Sequence, residues 1–396
     1  MSASGAAGAM KVVIAGGGTG GHLFPGIAVG EALRARGVTE ILFVSAGRGA
    51  WREVLDRAGF PWRSLPVRGF GRRLGLAHLA FPFRLAASLL LAAALIASFR
   101  PHAVVGTGGY VAGPVVVVAW LLGVPVLLLE QNAVPGVTTR IAARFAREIH
   151  LTYEGSEASL PRGARSRARV TGNPIRASLL AADRAAARAR LGLLPDMQVL
   201  FVLGGSQGAV ALNAALRDAL AADAAPAAPA APSDADWARG LQFLVQTGDR
   251  DATDWAALAP RAARLVARPF FHEIGDAYAA ADLVLCRAGA TTLAEITALG
   301  KAAILVPYPF AAADHQARNA EWVARAGAAV VIPERDLSPR RLRGDATTLM
   351  RDDGRRRAME AASRALGKPE AADQVAEALV GLSRGRGRSW SVSQRS

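Results

Sequence analysis

The chain is poor in cysteine and in lysine. One cysteine, Cys286, excludes a disulfide-stapled scaffold and a cysteine metal cluster; it reads as a small buried apolar residue. Three lysines, Lys11, Lys301 and Lys368, leave nearly all of the 47 basic residues to arginine, a bias that genomic base composition alone can produce. No export signal is legible, because residues 1–10 are Ser, Ala and Gly with neither a basic region nor an apolar core. They read as a flexible extension, with Met10 a second potential start. A spanning helix needs an apolar run of roughly 20 residues. The most apolar run, Leu85–Phe99, has 15 residues between Arg84 and Arg100. A protein made and kept in the cytoplasm is therefore predicted. Disorder is excluded by a hydrophobic content of 52%.

The length, 396 residues, fits two domains. Both open alike. Val13–Gly21 reads VIAGGGTGG and Phe201–Ala209 reads FVLGGSQGA, each an apolar strand, a glycine pair, a hydroxyl residue, glycine and then a helix. The first helix is placed at about Pro25–Arg36. Further apolar runs, such as Ile41–Ser45, Val126–Glu130, Gln242–Thr247 and Leu283–Cys286, lack polar alternation, as strands buried on both faces do. Alternating with helices, they predict an α/β fold of two Rossmann-like parallel-sheet domains facing a central cleft. The divisions are 1–10 (extension), 11–178, 179–350, 351–382 (helical) and 383–396 (disordered tail), with an Ala/Pro-rich insertion at 221–238.

Glycine after a strand lets a ligand's phosphate approach backbone N–H groups and a helix N-terminus. The first loop has five glycines in Gly16–Gly21, then His22. A nicotinamide site is disfavoured, because strand two ends Ser45-Ala46-Gly47-Arg48 without the acid that binds ribose. No Gly-Lys-Ser/Thr follows either cluster, which disfavours a P-loop. The net charge, 47 − 32 = +15, points to nucleic acid or an anionic membrane. Stacking aromatics and a reading helix are both missing, so no nucleic-acid partner is predicted. Leu74, Leu76, Leu79, Phe81 and Phe83 sit among Arg68, Arg72, Arg73 and Arg84, a composition that suits either a membrane contact or a buried helix beside a basic loop. Arg140 and Arg144 are further candidates for that surface.

The motifs GGGTGGHLFPGIAV (16–29), GTGGYVAGP (106–114), EQNAVPG (130–136), TGNPIR (171–176), LGGSQGA (203–209), RAGATTLAE (287–295) and DHQARNA (314–320) occur in this order. Over residues 11–380 the chain resembles the bacterial cell-wall glycosyltransferases that add N-acetylglucosamine to lipid I. The resemblance implies the two-domain GT-B architecture, with a C-terminal helix crossing back onto the first domain. It implies inverting transfer from UDP-N-acetylglucosamine to the C4 hydroxyl of lipid I, giving lipid II for peptidoglycan. The runner-up functions are another lipid-directed UDP-sugar transferase and a noncatalytic nucleotide-sugar-binding membrane scaffold.

By resemblance His22 is the general base; a histidine titrates near neutral pH, which suits the task. Glu130 is a second base candidate. Thr19, Gly20 and Gly21 face donor sugar and acceptor diphosphate, Asn132 the donor, and Arg176 and Ser206 the nucleotide and its diphosphate. The backbone at Phe271 meets uracil. Ala290, Thr291, Thr292, Leu293, Ala294 and Glu295 form the nucleotide segment, with Glu295 on the ribose. Gln316 and Asn319 bind sugar hydroxyls, and His315 orders its loop. No cofactor and no protein-bound metal are expected. The implied setting is the cytoplasmic face of the inner membrane, peripheral, with an anionic inner leaflet and other cell-wall synthesis and division proteins as partners.

Overall fold

The computed structural model describes residues 10–46, 50–67, 81–205, 208–222, 237–249, 251 and 254–392, apart from the side chains of 50 and 384–392. Two compact units divide the chain. The first holds residues up to Arg176 and from Lys368 onward, the second Ala177–Gly367.

The first unit is built on seven parallel strands: β1 (Lys11–Gly16), β2 (Glu40–Ser45), β3 (Trp62–Ser64), β4 (Ala103–Gly108), β5 (Val126–Glu130), β6 (Glu148–Leu151) and β7 (Ala168–Val170). Their order is β3-β2-β1-β4-β5-β6-β7. β1 pairs with β2 at Val12↔Ile41 and with β4 at Val12↔Ala103. Side chains along a strand alternate between its faces. Val12 and Ile14 pack with Leu23, Ile27 and Leu33 of α1 (Gly20–Ala35) and Leu55 of α2 (Ala50–Arg57). Val13 and Ala15 pack with Ala92 and Ile96 of α3 (Phe81–Phe99), Val115 and Val116 of α4 (Ala112–Leu121) and Ala142 of α5 (Val137–Ala142). Burial on both sides explains why these strands show no polar alternation. Each fully buried Ile or Leu here is worth about 1.5–3 kcal/mol.

In the second unit α6 (Ala177–Leu180) and α7 (Arg184–Arg190) precede β8 (Val199–Leu203), α8 (Val210–Ala222), β9 (Gln242–Gln246), β10 (Arg264–Arg268), α9 (Ile274–Ala280), β11 (Leu283–Cys286), α10 (Ala290–Ala298), β12 (Ala303–Leu305), α11 (His315–Arg325), β13 (Ala329–Val331), α12 (Pro339–Arg351) and α13 (Asp353–Leu366). Its six parallel strands run β10-β9-β8-β11-β12-β13. The chain then returns to the first unit as α14 (Ala371–Val392), where Val375, Ala376 and Leu379 join the core under α1 and Arg36 pairs with Asp373.

Several boundaries differ from the sequence reading. α1 begins at Gly20, not Pro25, because the Thr19 carbonyl already accepts from His22 and Leu23 N–H. The units divide after Arg176 and after Gly367. α12 and α13 therefore stay in the second unit, where the Ser363 hydroxyl donates to the Ile296 carbonyl at 3.2 Å. Only α14 returns, and it continues to Val392 through the stretch read as a disordered tail. The Ala/Pro-rich insertion is narrower than 221–238. Ala221 and Ala222 finish α8, and Trp237 and Ala238 are buried in the second core; residues 223–236 lie outside the described residues. α3 has 19 residues with mean hydropathy 1.8, long and apolar enough to cross a membrane by length and composition. Ser88, Ala92 and Ile96, spaced by four, are buried, so one stripe of it is committed to the sheet.

Candidate active site

In both sheets the chain runs outward in one direction from β1 or β8, then restarts at β4 or β11 beside it and runs in the other. At such a switch point adjacent loops leave toward opposite faces and open a crevice at the carboxyl ends of the strands. His22 stands in the first unit's crevice, in the first turn of α1. The loop after β4 meets it closely. Gly108 has φ +99°, and a Cβ there would lie 2.6 Å from His22 Nδ1. A Cβ on Gly109, at φ +77°, would lie 2.5 Å from the Gly17 carbonyl oxygen. Only glycine permits both the conformation and the approach.

Three residues close a ring of hydrogen bonds. His22 Nδ1 lies 3.0 Å from Gln131 Oε1. Gln131 Nε2 donates to the Thr107 carbonyl at 2.9 Å, and Thr107 Oγ1 donates to the His22 carbonyl at 2.7 Å. A carbonyl only accepts, so the Thr107 contact fixes which end of the Gln131 amide is nitrogen. The amide oxygen must then face His22, and Nδ1 must carry the proton. In the neutral ring Nε2 is then the nitrogen with the lone pair. Gln131 and Thr107 are buried, so these bonds are shielded from water. The ring joins the first turn of α1, the end of β4 and the residue after β5; Thr107 lies inside GTGGYVAGP and Gln131 inside EQNAVPG, but the sequence gives neither a role.

A cavity of about 520 Å³ opens here, lined by Gly17, Gly18, Thr19, His22, Trp51, Val67, Arg84 and Tyr110 among others. Trp51 gives it an aromatic wall, packed edge-on to Phe24 at 6.3 Å. Arg84, read from sequence as rimming a membrane contact, is in its wall. Glu130 is not available as a base. Its Oε1 accepts from Asn132 N at 3.0 Å and Asn132 Nδ2 at 3.3 Å, and its Oε2 from Gly136 N at 3.1 Å, so both oxygens organise their own loop. Asn132 is thereby held half-buried. Arg176 stacks over Phe24 at 4.8 Å. Burial pushes the carboxyl of Glu31 up, opposed by Arg176 and Arg34.

In the second unit Gly204, Gly205 and Gly208 follow β8, and a Cβ on Gly208 would lie 2.5 Å from the Thr247 carbonyl oxygen. Ser206 lies outside the described residues. α10 begins at Ala290, and no side chain caps it. Its first turn carries Thr291 and Thr292. Glu295 is buried and accepts from Tyr278 OH at 2.8 Å. Burial, with the nearby Glu295 charge, pushes the Cys286 thiol up to about 12, so it is no nucleophile.

Some expected contacts are corrected. The side chain of Leu293 is buried in the core, as expected for a helix face turned to the sheet; Ala290 is also buried, and Ala294 is half-buried. Phe271 N–H already donates to Gln246 Oε1 at 3.0 Å, and its ring packs on Phe201. That amide is not open to a base. Asn319 has no exposed surface, and its Nδ2 reaches the Ala288 carbonyl at 3.4 Å, tying α11 to the loop before α10 rather than facing solvent. Gln316 Oε1 accepts from Tyr308 N at 2.9 Å, and His315 Nδ1 lies 2.8 Å from the Ala312 carbonyl. Of the membrane candidates, Arg68, Arg72, Arg73, Leu74, Leu76 and Leu79 lie outside the described residues. Phe83 is 78% exposed, and Arg140 is exposed on α5.

The sequence of this site has relatives. Residues 12–151 match the glycosyltransferase family 28 N-terminal domain and residues 199–375 the family 28 C-terminal domain. The chain is 39% identical over 381 residues to the UDP-N-acetylglucosamine--N-acetylmuramyl-(pentapeptide) pyrophosphoryl-undecaprenol N-acetylglucosamine transferase of Desulforudis audaxviator, covering 94% of this chain and 98% of that protein. It is 41% identical over 384 residues to the protein of the same name from Chlorobaculum tepidum, covering 95% and 100%. Among solved structures it resembles MurG of Acinetobacter baumannii, with TM-score 0.68 and 30% identity over 94% of this chain and 99% of that one.

Proposed function

The chain belongs to glycosyltransferase family 28, and on that premise we propose that it transfers N-acetylglucosamine from UDP-N-acetylglucosamine to the C4 hydroxyl of lipid I, forming lipid II. The observation that carries the chemistry is the His22–Gln131–Thr107 ring, which engages Nδ1 and leaves Nε2 as the nitrogen that takes up a proton when the ring is neutral, beside a cavity on the switch point.

His22 Nε2 takes the C4 hydroxyl proton as that oxygen forms its bond to the anomeric carbon. The bond from that carbon to the UDP oxygen breaks, and its electron pair leaves on the diphosphate. Attack opposite the leaving group inverts the centre, from α donor to β-1,4 product. The growing negative charge is met by the N-terminal turn of α10 and the glycine loop after β8. In the second unit Glu295 serves the ribose hydroxyls and Gln316 the sugar. Thr19, Gly20 and Gly21 hold the acceptor diphosphate. The first unit is thus the acceptor unit and the second the nucleotide unit.

Given UDP-N-acetylglucosamine and a short-chain lipid I analogue, the full chain is expected to release UDP and add one N-acetylhexosamine to the acceptor, read by mass spectrometry. Sugar passing only to a different lipid-linked acceptor would overturn the lipid I assignment.

Gln131→Leu removes the acceptor at Nδ1 and orphans the Thr107 carbonyl. An unsatisfied buried group costs about 1–3 kcal/mol, so kcat is expected to fall roughly 10- to 100-fold. Donor affinity, measured by calorimetry, should stay put. An unchanged kcat would show that Gln131 does not orient the base.

The acceptor is lipid-borne, which calls for a membrane-facing surface on the first unit. Phe83, Leu90 and Leu91 of α3 and Trp120 and Leu121 of α4 are exposed, at 48–78%, and Arg140 is exposed on α5. Exposed apolar side chains with arginines on the same unit suit the interface of an anionic bilayer. Phe83→Ser with Leu90→Ser and Leu91→Ser should reduce flotation with anionic vesicles at least about 10-fold, since each immersed side chain contributes about 1.5–3 kcal/mol. Flotation equal to the parent chain would place the contact elsewhere.

A further inference from the structure

α3 carries a single charged side chain, Arg84. Ser88, Ala92 and Ile96 form the buried stripe of that helix, and Arg84 stands four positions before Ser88 on the same stripe. It is half-buried, and its carbonyl accepts from the Ser88 hydroxyl at 2.7 Å. Neighbouring Phe83, by contrast, is 78% exposed. Arg84 lies in the wall of the cavity at His22. The walls around it are largely apolar, with Trp51, Leu65, Val67 and Val111, and among the described residues no carboxylate lines the cavity. A guanidinium drawn partly out of water into such walls, without a counter-charge, is stabilised by an anionic occupant.

A second source of positive potential borders the same cavity. Gly17, Gly18 and Thr19 line it and lead into α1, a helix of 16 residues. No side chain caps α1, and its first turn holds no acid. A helix N-terminus carries roughly half a positive charge and presents N–H donors to oxyanions. With the arginine, that makes two anion-binding elements on one cavity. A single carboxylate occupies one of them. A diphosphate diester has a charge on each of its phosphoryl groups and engages both. The planar fork of the guanidinium also matches phosphoryl oxygens bidentately.

We infer that Arg84 is a specificity-determining residue for the acceptor, its guanidinium binding the diphosphate of a polyprenyl-diphosphate sugar together with the glycine loop before α1. The inference rests on the reading of the first unit as the acceptor unit. It gives the cavity a reason to prefer a diphosphate-linked sugar to the same sugar free, since the free sugar leaves the arginine without a counter-charge. The carboxylates of the acceptor's peptide share the negative charge and lack the pair of phosphoryl groups.

Calorimetry with the full chain, in saturating UDP so that a nucleotide site is filled, uses geranyl diphosphate as the probe. The parent is expected to bind it saturably, and Arg84→Gln to weaken it roughly 10- to 100-fold, as loss of a charge-assisted hydrogen bond does. Arg84→Lys keeps the charge without the fork and should fall between the two. It carries the test if the Gln variant melts far below the parent. In transfer to a short-chain lipid I analogue, Arg84→Gln should raise the acceptor KM by a similar factor with a much smaller effect on kcat. An analogue with its peptide carboxylates amidated should show the same rise. A rise that vanishes with the amidated analogue would move Arg84 to the peptide and overturn the assignment. So would geranyl diphosphate unbound by the parent, or bound equally by parent and variants. Vesicle flotation lost in Arg84→Gln with geranyl diphosphate affinity intact would make Arg84 a bilayer contact instead. Failure of the sugar-transfer reading stays separate, because it appears as no transfer by the parent while the arginine-dependent binding of geranyl diphosphate persists.

Discussion

His22→Ala is expected to lower kcat for transfer to a lipid I analogue by roughly 10²–10⁴, the usual contribution of a positioned general base, with the dissociation constant for UDP-N-acetylglucosamine within about twofold of the parent's. The acceptor hydroxyl is a poor nucleophile until its proton has somewhere to go. Of the two base candidates the sequence left open, Glu130 has both carboxylate oxygens occupied by Asn132 and Gly136. His22 has its Nδ1 engaged by Gln131 and lines the cavity. The alanine variant also loses little packing, because the imidazole is only half-buried. Transfer at the parent's rate would remove His22 as the base. A matching loss of donor affinity would make it a binding residue instead.

Glu295→Ala is expected to have the second large effect, weakening UDP-N-acetylglucosamine roughly 10- to 100-fold by calorimetry. A hydrogen bond to a charged group is worth about 1.5–3 kcal/mol. Glu295 sits on α10, buried, with one oxygen accepting from Tyr278 OH. That bond ties the carboxylate to α9, and the ribose contact proposed for it is what this variant tests. The change also orphans the Tyr278 hydroxyl, so Tyr278→Phe is the control. It keeps the carboxylate and should cost far less affinity. Equal losses in the two variants would assign the effect to packing of α9 on α10, and an unchanged affinity in Glu295→Ala would rule out the ribose contact.

The strands were the most legible part of the fold. Val12–Ala15 and Val199–Leu203 are buried on both faces, and such strands announce themselves as unbroken apolar runs. The order of the strands was not legible, because it depends on pairings between distant segments, and the switch point follows from that order. Gln131 shows the same limit. Its partner His22 is 109 positions away, and the bond between them exists only because the sheet order β1-β4-β5 puts β5 one strand from β1. The glycines of Gly16–Gly21 hid the start of α1, since glycine is a poor helix former and Pro25 looked like a first-turn residue. A carbonyl at Thr19 with two donors above it overrides that preference. The C-terminal return was placed too early for a related reason. α12, α13 and α14 are all arginine-rich and amphipathic, and only their tertiary partners tell which unit each joins. Motif residues were legible as a set but not by role. Leu293 and Asn319 belong to the same segments as Thr292 and Gln316, yet they serve the core and a loop.

The proposed transfer is a single displacement, in which His22 deprotonates the acceptor while UDP departs from the opposite side. The anomeric linkage of the product reads that directly. Proton NMR of the disaccharide made from α-linked UDP-N-acetylglucosamine and a lipid I analogue should give the large anomeric coupling of a β linkage, with the bond at C4 of the acceptor sugar. An α linkage would require a double displacement or a front-side attack, and a bond at another hydroxyl would mean a different acceptor geometry. Either result would contradict the mechanism.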